Sequence, residues 1–424
     1  MREKAGLKKI WGILILFLLV LLPGQIASAK EIKPVKIDEK HFPDENFRWE
    51  ISESFDQNQD GILSRKEIRK AKELDVVNYD TLKPYLNFSG VEHLPYIKAV
   101  GIFGYKIKQR DLNKYPFTKA KKISLDNNYM KSMDFSSCKE LEELECSQYH
   151  VLKKINVKKN KKLKKLKLEN CQQLKDITIP KNGKLKEFWL DENHVQREIT
   201  LRGVKSLKFL RISRTQITGL KVINCPQLQL VSLISSPNAT TLDIQNCPSV
   251  SSISVGKALS ELYVSHKNAL KKLDIVRENL QIEDLLEYKN LEILGVHDGK
   301  MVEFNANPWK KLKELSVNGC SSLQRLDVSG LDDLEYLNAD GTFLTSLDLS
   351  GKIELKELVC ANRYLEELNL TGIDNLRKVL AYGVLHKNPL KKIILDADVS
   401  KKDLEYIQRQ QEWADFDPPE LIYV

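Results

Sequence analysis

The sequence predicts a β-rich solenoid of stacked coils, with parallel strands on both faces of each coil and a small cap at either end. Three observations carry this. First, the pattern apolar-x-x-apolar-x-apolar returns every 20 to 23 residues, as LEELEC from Leu141, LKKLKL from Leu163, LKEFWL from Leu185, LKFLRI from Leu207 and LQLVSL from Leu228. It spans fourteen such hexads, from IKAVGI at Ile97 to LRKVLA at Leu376. A period of this length means that each coil buries its apolar side only against its neighbours. Second, most repeats hold another hexad 9 to 11 residues on, such as LKKINV from Leu152 and LTSLDL from Leu344. Positions four and six of a hexad share parity, so both point inward from a strand. Third, Asn, Gly, Ser and Lys fill connections of about five residues, too short for a full helix on the far side.

The elements follow in chain order. Residues 1–29 carry Arg2, Lys4, Lys8 and Lys9, an apolar run of 13 residues from Ile10 to Leu22, and then Ala27, Ser28 and Ala29. This is the layout of a secretory signal peptide cleaved after Ala29. An uncleaved anchor is the alternative, and the run is short of the roughly 20 residues that span a bilayer. The chain is therefore expected to be exported, secreted or held at the cell surface, with no integral membrane segment after cleavage. The formal charge of +9 falls to about +6 on cleavage, a basic excess that suits anionic surfaces without requiring them.

Residues 30–90 are expected to form a helical N-terminal cap. Phe47, Ile51 and Phe55 recur at helical spacing, and residues 56–67 then read DQNQDGILSRKE. Asp56, Asn58 and Asp60 stand at places one, three and five, with Gly61 at six. Ile62 offers its carbonyl at seven, Ser64 is at nine and Glu67 at twelve. That is EF-hand spacing, in which alternate residues of a tight turn aim oxygens at one centre. The expected cofactor is a structural, weakly bound Ca²⁺. The alternative is a turn held by side-chain hydrogen bonds alone.

Residues 91–395 hold the solenoid of about 14 coils, and residues 396–424 a C-terminal cap whose segment DLEYIQRQQEW reads as an amphipathic capping helix. The segment 276–290 reads as a short helix or loop in place of one second hexad. All seven cysteines fall where a side chain points into a coil, as small buried thiols. Cys225 and Cys247 occupy equivalent corners of successive coils, so a disulfide there is the alternative for that pair.

The hexad and its ninth place, LxxLxLxxN, resemble the leucine-rich repeat family. LKEFWLDEN (185–193) and AKKISLDNN (120–128) carry the asparagine, while Cys, Thr, Ser or Gly stands there in most others. The likeness covers about two thirds of the chain and is closest to the secreted repeat proteins of Gram-positive bacteria, broadly internalin-like. It implies recognition of an extracellular protein or glycan, usually on the concave face, and no catalysis.

Two surfaces are candidates for a partner. Outward positions three and five are almost all polar on the second hexads, whereas on the first hexads they include Trp189, Phe209, Arg211 and Leu230, with Ile234 just past its strand. Apolar and aromatic neighbours beside an arginine make a protein-binding centre, unless a flanking loop covers them. The other candidate is the run KKINVKKNKKLKKLK, whose Lys153, Lys154, Lys158, Lys159, Lys161, Lys162, Lys164, Lys165 and Lys167 ring one coil. It would suit an anionic cell-wall polymer or glycan, or be a solvated turn. Export argues against nucleic acid. No two of the seven histidines have metal-ligand spacing, and no nucleophile elbow or phosphate loop is present, so no enzyme is expected.

Overall fold

The computed structural model describes residues 32–78, 85–126, 129–278, 282–361, 363–381, 383–412, 414 and 416–424. The segment 1–29, expected to be a signal peptide, lies outside them. The described residues fall into two compact units, one up to Lys72 together with Asn87–Tyr96, the other Glu73–Leu86 with Ile97–Val424.

The first unit is built on the helices Glu45–Phe55 and Arg65–Lys70. Asp44 caps the first by accepting from the Phe47 amide, and Ser64 with Glu67 forms a reciprocal capping box on the second. Between them, Ile62–Leu63 pairs antiparallel with Val35–Lys36. Phe42, Phe47, Ile51, Phe55 and Ile68 form the core, with Phe88 edge-on to Phe47 at 5.7 Å.

The second unit is the solenoid. One parallel sheet of 14 strands runs from Glu73–Val77 to Glu357–Val359. Most of its strands alternate buried residues with half-buried or exposed ones, as in Lys165–Glu169 and Glu187–Asp191, because only one face meets the coil interior. The opposite side carries short strands gathered into separate parallel sheets of three, four, two and four strands. Leu163, Leu185, Leu207 and Leu228, the first hexad residues, are fully buried where the chain turns in.

Three features differ from the sequence reading. The long sheet begins at Glu73, inside the segment expected to be a helical cap, because Leu74 and Val76 already alternate inward. The last hexad, from Leu376, is a helical turn, Leu376–Val379, and Leu380, which the hexad would turn outward, is fully buried. The terminal residues Glu420–Tyr423 form a strand that pairs with Lys392–Leu395. The expected capping helix is present as Lys401–Gln411; Arg377 pairs with its Asp403 at 3.0 Å, and Ile407 is buried. The segment replacing one second hexad contains the 3₁₀ turn Ile282–Leu285.

All seven cysteines are buried free thiols, Cys225 and Cys247 among them. Burial pushes Cys171 and Cys360 up to about 12, which keeps them protonated and inert.

Charges stitch the coils at both ends of the long sheet's strands. Glu142 lies between Lys164 and Lys121, the latter at 3.1 Å, and Glu278 between Lys257 and Lys300, the latter at 2.8 Å. Hydrogen bonds from these ammoniums, Lys164 and Lys257 foremost, hold Glu142 and Glu278 down at about 2. A carboxylate depressed in the folded state stabilises it above the ordinary carboxylate range and loses that contribution as pH falls through the folded value. The melting temperature should therefore be level near neutrality and fall between about pH 4.5 and about 2. The double variant Glu142→Gln/Glu278→Gln should flatten that fall, and both effects should shrink in high salt. Parallel pH profiles for the two proteins would remove these bridges from the acid transition.

Candidate functional site

Consecutive strands of the long sheet place the predicted recognition residues on one exposed face. Phe209 and Leu230 are register partners on neighbouring strands. Trp189 is not in their row: its register partners are Lys167 on one side and Arg211 on the other, while Glu187 faces Phe209. Trp189, Phe209 and Leu230 thus lie on three neighbouring strands but in two adjacent rows, because Trp189 is the fifth residue of its hexad and the other two are third. Ile234 pairs with Ser213, two residues beyond Arg211's partner Ser232, and is 38% exposed.

The indole is set between cations. The Arg211 guanidinium lies 5.0 Å and the Lys165 ammonium 5.3 Å from the Trp189 ring centroid, from strands on opposite sides. Lys165 is also bound by Glu145 at 2.8 Å, whose hydrogen bond raises the Lys165 pKa. Arg211 is exposed and has no carboxylate partner among the described residues. The centre therefore combines a half-buried aromatic pinned by cation–π contacts, a free guanidinium and a Phe–Leu pair. That is the composition of an interface core.

A polar pair on the same face escaped the sequence reading. His297 Nε2 and Asp274 Oδ1 are 2.7 Å apart, and the bond with His297 lowers the Asp274 pKa. Gly295 makes the pair possible, since a Cβ there would sit 2.5 Å from Asp274 Oδ1 and 2.7 Å from His297 Nε2. A glycine at the fifth hexad position beside a histidine two residues on was the available signal.

The nine lysines of the run do not form one patch. Lys165 and Lys167 lie on the long sheet, Lys154 on the opposite one, and Lys158, Lys159 and Lys161 in the turn between. Lys162, Lys164, Lys165 and Lys167 are neutralised by Glu140, Glu142, Glu145 and Glu169. Lys153, Lys154, Lys158, Lys159 and Lys161 have no carboxylate partner among the described residues.

In the loop 56–67, backbone amides hold the carboxylates. Asp56 accepts from the Asp60 amide at 3.2 Å and the Gly61 amide at 2.9 Å; Asp60 accepts from Ile62 at 2.9 Å. Glu67 accepts from Gln57 at 2.9 Å and Ser64 at 2.8 Å, and these bonds, Ser64 first, lower its pKa. Gly61 has φ +74°, the positive value the sharp bend requires. Asn58 donates to Asp60 at 2.8 Å. Asp56 and Glu67 are buried, yet among the described residues neither they nor Asp60 has a cationic partner. Each carboxylate oxygen retains a lone pair after one amide bond. The donor set, all oxygen, fits a hard cation. Among the described residues no three His, Cys, Asp or Glu side chains stand close enough together to hold a metal by themselves.

Neither a family model nor a curated protein sequence matches the chain. Among solved structures, it is similar to a leucine-rich repeat protein of Leptospira interrogans at 19% identity, over 83% of this chain and 97% of that one, with a TM-score of 0.50. It is also similar to the functional domain of InlJ from Listeria monocytogenes, described as including a cysteine ladder, at 19% identity over 87% of this chain and 83% of that one, with a TM-score of 0.46. A TLR13–ssRNA13 complex is matched at 17% identity over 85% of this chain and 59% of that one, with a TM-score of 0.49. The first likeness shows that the chain has the leucine-rich repeat fold. Among the described residues no helix is long and apolar enough to cross a membrane.

Proposed function

We propose that this protein is an exported, non-catalytic recognition scaffold that holds a protein partner on the exposed face of its long sheet. The observation that carries the reading is the pairing of Trp189 with an unneutralised Arg211 directly beside the Phe209–Leu230 row. Parallel strands fix these side chains without loops, so little conformational entropy is lost on binding. Ile234 extends the surface at one margin.

The loop 56–67 is read as a calcium site. Asp56, Asn58, Asp60 and Glu67 would supply side-chain oxygens, Ile62 its carbonyl and Ser64 an oxygen at the ninth place. The ion would neutralise two buried carboxylates that otherwise have only amide partners. Its role is structural, within the N-terminal unit.

Trp189→Ala combined with Phe209→Ala should lower recovery of the partner from envelope or host extracts by about tenfold or more, since buried aromatic anchors each carry roughly 2 kcal/mol or more. Both side chains point away from the coil interior, so circular dichroism and melting temperature should hold. Binding by the parent should survive about 0.5 M salt, as contacts made by apolar burial are weakly screened. Undiminished recovery with the double variant would place the interface elsewhere.

A further inference from the structure

A second surface, independent of the sheet face, lies on the turns that lead from the opposite side back into the long sheet. Three successive turns, residues 157–163, 179–185 and 203–207, contain no acidic and no aromatic residue. They carry Lys158, Lys159 and Lys161, then Lys181 and Lys184, then Lys205, all exposed and none in an ion pair among the described residues, although Lys159 lies near enough to Asp134 to act on it. The turns are stacked: the Lys184 amide donates to the Lys161 carbonyl at 3.1 Å, and Ser206 Oγ to the carbonyls of Gly183 and Leu185 at 2.9 and 3.0 Å.

The rest of the same edge shows what ordinary solvation of this fold looks like. Several residues just before successive sheet strands alternate in sign and pair across coils: Glu142 with Lys121 and Lys164, Lys271 with Glu292, and Glu335 with Lys313 and Lys356. The alternation stops at this place. Lys186 and Lys208 follow Lys164 in the backbone ladder with no acid between them. The preceding turn supplies Glu140, which is taken by Lys162, and the following turn, residues 224–228, is uncharged. Unneutralised ammoniums on coils about 4.8 Å apart lie within one Debye length and repel. Like-charged neighbours also occur at Lys98 and Lys121 and at Lys131, Lys153 and Lys175, but the three turns gather six lysines outside any ion pair with no acid among them.

We infer that these three turns form a binding ridge for a flexible polyphosphodiester, an anionic polymer of the poly(glycerol phosphate) kind, lying along the solenoid axis. Lysine ammoniums are compact point charges that meet phosphate oxygens from many directions, which suits a flexible polymer, and all the cations of these turns are lysine. Sugar rings and bases call for aromatic platforms, which the turns lack.

The test uses the full chain and a fluorescently labelled synthetic poly(glycerol phosphate), titrated between about 50 and 200 mM salt. The variant Lys158→Gln/Lys161→Gln/Lys184→Gln/Lys205→Gln should bind about tenfold or more weakly, with a log–log salt slope reduced by about 3. A control with the same charge loss, Lys114→Gln/Lys289→Gln/Lys387→Gln/Lys402→Gln, should stay within about twofold. The Trp189→Ala/Phe209→Ala variant should bind the polymer as the parent does. Equal weakening in both lysine quadruples, no binding by the parent, or tighter binding of a sulfated glycan at the same salt would each overturn the assignment.

Discussion

Exchanging Asn193 for leucine should destabilise the solenoid by about 3–5 kcal/mol, although the two side chains are close in size. Asn193 is fully buried. Its Oδ1 accepts the amide of Cys171 on the neighbouring coil at 2.9 Å, and its Nδ2 donates to the carbonyls of Leu168 at 3.1 Å and Asp191 at 2.6 Å. Leucine fills the space and satisfies none of them. A buried amide and a buried carbonyl are then left unpaired, each at about 1–3 kcal/mol. Asn193→Asp keeps the acceptor and loses the donor, so it too should destabilise. Chemical denaturation measures both, and a loss under about 1 kcal/mol for the leucine variant would mean that the amide does not bind the coils together.

The same residue shows how far the chain can be read before its structure is known. The ninth-place asparagine was visible in LKEFWLDEN, and its coil-to-coil bonding is what that place is for. Where Thr215 and Ser236 occupy it, buried hydroxyls 2.9 Å apart do part of the same work, and the Ser236 hydroxyl accepts the Thr215 amide at 3.2 Å. Sequence pattern marks these residues as substitutes but gives no bonding partner, because the partner lies a coil away. Asn160 carries the equivalent role on the opposite turn, donating to the carbonyls of Phe135 and Cys138 at 2.9 and 2.7 Å, and no motif announced it.

Periodicity misled where two periods share a signature. Leu376, Val379 and Leu380 stand at i, i+3 and i+4, which satisfies the start of a hexad and a helical turn alike; the chain forms the helix. The strand Glu420–Tyr423 was missed because it carries no hexad of its own and pairs with Lys392–Leu395 across the intervening helix in sequence. For the recognition face, the hexads put Trp189, Phe209 and Leu230 on neighbouring strands, and only the register separated the fifth-position tryptophan from the third-position pair. That separation matters, because it is what sets Arg211 rather than Phe209 directly beside the indole.

Adding calcium should raise the unfolding temperature of the N-terminal unit, and Asp60→Ala should abolish the rise. With three carboxylates and an extracellular-type affinity of about 10⁻⁴–10⁻³ M, 10 mM calcium should contribute about 1.4–2.7 kcal/mol by linkage. The sign follows from linkage: an ion held by the oxygens of the folded loop and not by the unfolded chain stabilises the folded unit, and Asp56 and Glu67 have amide partners but no competing cation among the described residues. Asp60 is exposed and its one backbone bond goes to Ile62, so alanine there should leave the calcium-free unit nearly as stable as the parent. Glu67→Gln differs, because Glu67 also completes the capping box with Ser64; it should lower the calcium-free stability and remove the calcium response together. Magnesium, which demands near-octahedral geometry and dehydrates reluctantly, should produce a smaller rise at the same concentration. The pair of variants separates a metal site from a turn held by hydrogen bonds alone: a calcium response that persists in Asp60→Ala belongs to some other part of the chain.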